Sequence, residues 1–387
     1  MKTRRLVGVA LAAILWLLAG VVSAHKASDS YLTLTRSGSD AANVGLRWDI
    51  ALRDLDNAIT LDANGDGDIN WGEVRSKQAQ IAAYALSRLA VLSKGAACPL
   101  HGVGAPMIDT HSDGSYVVLR FDGVCPRPGT SLTLDYRLLF DIDPQHRGLL
   151  QFDDGGAVRS VIFSVGSPRQ TIGGGSTGAF EQLRQYIDDG VWHIWFGFDH
   201  ILFLLSLLLP AVLLRRDQRW RPAASFRATF IDVAKVVTAF TLAHSITLSL
   251  ATFGLISPNA RWVDAGIALS VVLAAANNVF PVVNHGRWIA AFGFGLIHGF
   301  GFASALKGLG LPTGSLVLSL FGFNVGVELG QIAVVVLFLP IAFALRETWA
   351  YRRVIFTGGS AAIATVAGAW FIERAFNVSL QAIAFAK

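Results

Sequence analysis

The chain has 387 residues, of which 53% are hydrophobic and 15% charged, with a formal net charge of +5. An ordinary soluble domain carries about 25% charged residues, so the composition excludes a disordered chain and argues against a wholly soluble one. The basic excess sits beside long apolar runs and reads as a membrane topology signal, so no nucleic-acid partner is expected.

Residues 1–24 read as a secretory signal. Lys2, Arg4 and Arg5 precede an apolar run from Leu6 to Val22, and Val22-Ser23-Ala24 supplies small residues for cleavage. An uncleaved anchor would give the downstream chain the same orientation. Cleavage would place His25 at the mature N-terminus, where its imidazole and the α-amine can chelate copper or nickel; an ordinary exposed terminus is the plainer reading. Cys98 and Cys125 lie in a polar segment that this signal sends to an oxidising space, and they are expected to form one disulfide.

Residues 25–172 are mixed in polarity. Tyr116–Leu119, Ser131–Leu139 and Val158–Val165 have the composition of strands, and Ala79–Leu92 that of a helix. Within this domain, Asp62-Ala63-Asn64-Gly65-Asp66-Gly67-Asp68-Ile69-Asn70-Trp71-Gly72-Glu73 fits the twelve-residue EF-hand loop. Asp62, Asn64 and Asp66 offer side-chain oxygens, Gly67 permits the sharp turn, and Asp68 offers its carbonyl. Asn70 reaches the ion directly or through water, and Glu73 closes the shell with two oxygens. Hard oxygen donors at this spacing suit Ca²⁺. No second loop accompanies it, so a structural role is expected. Residues 173–178, all Gly, Ser or Thr, read as a flexible linker.

From Trp192 onward the chain becomes apolar. Six stretches approach the ~20 residues that span a bilayer: 192–214, 229–254, 261–280, 287–307, 315–340 and 354–372. Seven of the ten tryptophans lie near their ends, as an interfacial aromatic belt requires. Loop cations set the orientation. Arg215, Arg216, Arg219, Arg221, Arg227, Arg287, Arg346, Arg352 and Arg353 fall on one side; Arg261, Lys307, Arg374 and Lys387 fall on the other. The richer side is the inner one. The expected fold class is therefore two-part: a β-rich α+β extracytoplasmic domain, then an all-α polytopic domain, 179–387, with six transmembrane helices in a bacterial inner membrane.

Ionisable groups within membrane spans are costly and mark functional sites by default. The candidates are His193, Asp199, His200, His244, His298 and Glu328, with Thr241, Ser245, Asn324 and Gln331 as supporting polar groups. His200, His244, His298 and Glu328 lie about 8–13 residues from the outer ends of their spans, roughly 12–20 Å at 1.5 Å per residue. That depth is near the midplane of a ~30 Å core. Imidazoles with carboxylates suit Ni²⁺, Co²⁺ or Zn²⁺. Asp199 reads either as a ligand or as the acceptor that orients a histidine. His193 is seven residues from His200, about 10.5 Å along a continuous helix. It therefore reads as an access point or relay unless the helix breaks at Gly197.

At these residues the sequence resembles the HupE/UreJ family of membrane proteins. His193, Asp199 and His200 reproduce its pattern of His, five residues, Asp-His. His298-Gly299 matches a second pattern in part, with Phe300–Ala303 where that pattern has a further histidine and a glutamate. The resemblance covers roughly residues 180–387, and the EF-hand domain is similar to that of the longer members. Some members are described as secondary permeases for nickel, so the resemblance implies a Ni²⁺ or Co²⁺ permease embedded in the lipid bilayer. Two other functions fit the residues alone. One is an integral-membrane zinc hydrolase, with Glu328 or Asp199 as base. The other is a non-transporting receptor or assembly factor whose exported domain binds a partner.

Overall fold

The computed structural model describes residues 28–36, 42–111, 114–155, 158–173, 179–216, 219–283, 286–303, 313–376 and 378. The signal segment, His25, most of the glycine linker and Lys307 lie outside the described residues. Two compact units are formed, one running to Arg184 and the other beginning at Gln185, with the stretch just before Leu320 belonging to the first.

The first unit is a two-sheet structure. Its larger sheet holds β1 (Asp29–Arg36), β2 (Asn43–Ala51), β5 (Leu100–Gly102), β6 (Met107–His111), β7 (Gly114–Val124), β9 (Arg147–Asp153) and β10 (Val158–Phe163). The order is β10-β9-β1-β2-β7-β5, with β6 also on β7; β1 and β9 run parallel and the other pairs antiparallel. The smaller sheet has the order β11-β8-β3-β4, from β3 (Leu89–Ser93), β4 (Ala96–Ala97), β8 (Ser131–Tyr136) and β11 (Arg169–Gly173). Alternation explains the packing. In β2, Val44, Leu46, Trp48 and Ile50 point to one face, and in β8 Leu132, Leu134 and Tyr136 do the same. They meet in one core, which also takes Leu52 and Leu55 of α1 (Leu52–Ile59), Val74 of α2 (Trp71–Ser76), and Ile81 and Ala85 of α3 (Gln78–Ser87).

The expected helix 79–92 is corrected by the structure. It ends at Ser87, and Leu89–Ser93 is a strand of the smaller sheet, because Leu89, Val91 and Ser93 alternate inward. Cys98 and Cys125 are bonded, as expected, across 27 residues. They tie the chain after β4 to the end of β7, a closure worth about 3–4 kcal/mol on loop entropy.

The second unit is helical. It contains α4 (Ala179–Phe196, entering from the first unit), α5 (Phe198–Leu208), a hairpin of β12 (Leu213–Arg216) and β13 (Arg219–Pro222), α6 (Phe226–Thr252), α7 (Ala260–Val279), α8 (Arg287–His298), α9 (Thr313–Leu345), and α10 (Ala350–Phe376), whose first nine residues form a wide π-helical turn. Among the described residues, four helices are long and apolar enough to cross a membrane: α6, α7, α9 and α10. A fifth span results if α4 and α5, bent by 70°, are counted as one.

The expectation of six continuous spans is therefore not met among the described residues. The first stretch breaks at Gly197, and its end leaves the helix at Leu208, before Pro210, so that Arg215 and Arg216 lie in the hairpin. In the fourth stretch, whose part beyond Ala303 lies outside the described residues, the first helix, Arg287–His298, runs for 12 residues. That is about 18 Å of rise, short of a ~30 Å core, and the helix stops where Gly299-Phe300-Gly301 succeeds His298. Gly295 and Gly299 set the close crossing of α8 on α6. A Cβ at Gly295 would lie 2.4 Å from the Phe240 carbonyl oxygen, and one at Gly299 2.3 Å from that of His244.

Candidate metal centre

The site is organised by the break between α4 and α5. At Gly197 the backbone leaves the helix with φ −72° and ψ 91°. A Cβ there would lie 2.5 Å from the His193 carbonyl oxygen and 2.9 Å from His200 Nδ1. Glycine lets the chain fold back on itself, and the bend carries His193 onto His200, with ring centroids 4.5 Å apart. The separation expected for a continuous helix does not apply, and His193 joins the cluster instead of standing off as an access point or relay. His244, from the middle of α6, completes it. One ring nitrogen from each of His193, His200 and His244 lies within 4.8 Å of the other two. A tetrahedral ion with ~2.05 Å metal–nitrogen bonds needs about 3.3 Å between ligands, so a contraction of at most about 1.5 Å would close the set.

Hydrogen bonds fix which nitrogens are available. Asp199 Oδ1 lies 2.9 Å from His200 Nδ1, so a neutral His200 ring donates there and keeps its lone pair on Nε2. Asn324 Nδ2 donates to the Leu320 carbonyl, which turns Oδ1 toward His244 Nδ1 at 3.4 Å. The lone pair of His244 therefore also falls on Nε2. Both Nε2 atoms are buried without a hydrogen-bond partner. A buried acceptor with no donor is costly unless something else fills the position, and a Lewis-acidic ion does so.

The remaining candidates are placed less centrally. His298 stacks edge-on to His200, centroids 5.2 Å apart, but its Nε2 is 2.8 Å from Ser270 Oγ. Ser270 donates its own proton to the Ile267 carbonyl, so His298 Nε2 carries hydrogen and Nδ1 holds the lone pair, also buried and unpartnered. His298 is a neighbour of the triad rather than a member. Glu328 lies apart, its Oε1 accepting from Thr238 Oγ1 at 2.7 Å. Thr241 donates to Gln331 Oε1 at 3.0 Å, and Ser245 bonds back to the Thr241 carbonyl. These groups link α6 to α9 or stay within α6 without reaching the triad. Asp199 is hydrogen-bonded to His200 and is not one of the three clustered ligand groups. Ser270 escaped the sequence reading because a serine in an apolar helix carries no signal until its partner is known.

Aromatic rings enclose the histidines. Phe302 and Phe323 stack at 4.3 Å and each lies 5.2 Å from His193. Phe203 and Phe240 lie 5.0 and 5.2 Å from His298.

The first unit holds a second arrangement of ligand-type groups. Asp62–Glu73 joins α1 to α2. Gly65 and Gly67 adopt positive φ, +72° and +85°. Asp62 accepts from both their amides, at 2.7 and 2.8 Å. The Gly67 amide bond is the main influence holding the Asp62 carboxyl below its ordinary range. Asn64 and Asp66 each accept from the amide two residues on. Glu73 closes the loop, its two oxygens accepting from the amides of Ala63 and Asn70 at 3.0 Å each. Asp49, Asp109 and His111 form a third group close enough to share an ion. Arg47 already binds both carboxylates, at 2.6 to 2.8 Å, and supplies the cation there.

No curated protein matches the chain. A family model described as HupE / UreJ protein matches residues 172–374, just over half of it.

Proposed function

The chain belongs to the HupE/UreJ family of multi-pass membrane proteins, and on that premise we propose that its helical half is a secondary permease for a divalent transition metal, Ni²⁺ or Co²⁺. The observation that carries the reading is the meeting of His193, His200 and His244 at a helix broken by Gly197, with two unbonded Nε2 lone pairs. Three imidazoles are borderline donors that suit first-row divalent ions, and neutral ligands bind a cargo ion without trapping it as thiolates would. The cargo would move between an extracytoplasmic side, which holds the first unit, and the arginine-rich inner side.

The test is uptake of ⁶³Ni²⁺ or Co²⁺ by cells expressing the native chain, His200→Ala, His244→Ala or Glu328→Gln. The two histidine variants are expected to lose roughly tenfold or more of the uptake, in line with removing a metal ligand or its support. Glu328→Gln is expected to retain most of it. Equal uptake by native and His200→Ala chains would sink the permease.

A zinc hydrolase is the second reading, favoured by one feature: a three-histidine set leaves a fourth position open for water. Tightly bound zinc in the purified protein together with lipid hydrolysis would select it.

We further propose that Asp62–Glu73 holds a structural Ca²⁺. The support is the loop's ligand spacing and its two positive-φ glycines. A ligand at 100 times its Kd adds about 2.7 kcal/mol to the folded state. Unfolding of the full chain should therefore shift upward with Ca²⁺ and downward with chelator, and Asp62→Ala should abolish the difference. Identical curves for the native chain in both conditions would remove the ion.

A further inference from the structure

Beneath the histidines, a cavity of about 880 Å³ opens in the helical unit. Its wall includes Ser206 of α5, Thr229 and Asp232 of α6, Ala274 and Asn278 of α7, and Phe294 of α8. Arg215 and Arg287 also border it, so on the orientation expected from the loop cations it lies at the inner end of the helices. Each helix carries the same succession of features at helical spacing. On α5 the order is His200, Phe203, Ser206. On α8 it is His298, Phe294, then the rim at Arg287. On α6 it is His244, Phe240, and then Asp232 and Thr229. On α7, Ser270, which bonds His298, stands one turn from Ala274 in the cavity wall. Between the histidines and the cavity lie three rings. Phe203 meets Phe240 at 5.1 Å and Phe294 at 5.7 Å, and the first two are almost wholly buried. On the other side of the histidines, Phe302 and Phe323, also buried, stack face to face.

We propose that the cavity is the inner vestibule of the metal path, and that Phe203, Phe240 and Phe294 form the barrier that closes the histidine site from it. The Phe302–Phe323 pair packs against His193 on another side of the site, where His193 itself keeps partial exposure. A hydrated divalent ion cannot pass three packed phenyl rings without shedding its water, so the rings must part for release. This inference rests on the permease reading for its purpose, but the barrier can be measured without any transport.

The chain has two cysteines, joined to each other in the first unit, so single cysteines report cleanly. A membrane-impermeant thiosulfonate is applied to inside-out vesicles. Ala276→Cys, in the cavity wall, should be modified quickly. His244→Cys and His200→Cys should react at least roughly tenfold more slowly, about 1.4 kcal/mol of added barrier. Adding Phe203→Ala or Phe294→Ala should bring their rates up to that of Ala276→Cys. Equal rates at Ala276→Cys and both histidine positions in a chain with all its phenylalanines would overturn the barrier, and that comparison needs no ring removal. No acceleration in properly assembled Phe→Ala variants would overturn it as well. If native chains fail to take up metal yet show the rate difference, the permease falls and the barrier stands; uptake with no rate difference gives the converse.

Discussion

His200 uses its two ring nitrogens differently. Nδ1 is held by Asp199 at 2.9 Å, and Nε2 is left buried and open. Asp199→Asn keeps the shape but offers either an amide hydrogen or a weaker acceptor to Nδ1, so the lone pair can migrate to the wrong nitrogen. Metal affinity measured by calorimetry should fall about 10–100-fold, as for other groups that orient a ligand. An unchanged affinity would mean that Asp199 does not set the tautomer. His146, in the first unit, is a buried histidine of another kind. Its Nδ1 lies 2.6 Å from Ser28 Oγ and its Nε2 2.5 Å from Tyr136 OH, so both positions are taken. Burial, aided by the charge of Arg147, pushes it from 6.5 down to about 3. The unfolded chain takes up a proton here below about pH 6.5 and the native chain only near pH 3. The stability from the neutral ring is therefore complete at pH 7 and declines as pH falls, by up to about 1.4 kcal/mol per pH unit. Denaturant unfolding followed through Trp48 should show this loss between pH 6.5 and 4, and His146→Gln should be less stable at pH 7 with a flatter profile.

At the scale of elements, the break between α4 and α5 does what no single side chain can. Gly197→Ala places a methyl group 2.5 Å from the His193 carbonyl oxygen and 2.9 Å from His200 Nδ1. Overpacking of this kind costs about 1–3 kcal/mol, and here it acts on the spacing of two ligands. Metal affinity should drop by roughly tenfold, while the unfolding midpoint of the first unit stays in place; native-like affinity would show that the fold-back tolerates a side chain. This element also marks the limit of what was legible. The turn at Gly65 and Gly67 could be read directly, because the pattern that calls for it lies in twelve consecutive residues. The polar positions on α6 and α9 could be read because ionisable groups are rare in apolar helices. The fold-back was legible only as a condition at Gly197, since a lone glycine inside an apolar run looks the same in a straight helix. Leu89–Ser93 was missed for a related reason: its leucine and alanine content favours a helix, and only pairing with β8 settles it as a strand.

For the whole molecule, composition alone separated a β-rich polar half from an apolar helical half, because burial in protein and burial in lipid select different residues. The number of spans was less accessible. Hydropathy counts apolar length, whereas α8 ends after 12 residues and α4 turns by 70°. Both departures fall beside the histidines, at Gly197 and after His298. The make-up of that site bears on energetics. A divalent cargo carried inward as proposed, with no counter-ion, moves two charges in each passage. A cell interior held at about −100 mV would draw in two charges with roughly 4–5 kcal/mol, enough to concentrate the ion by about a thousandfold with no nucleotide hydrolysis.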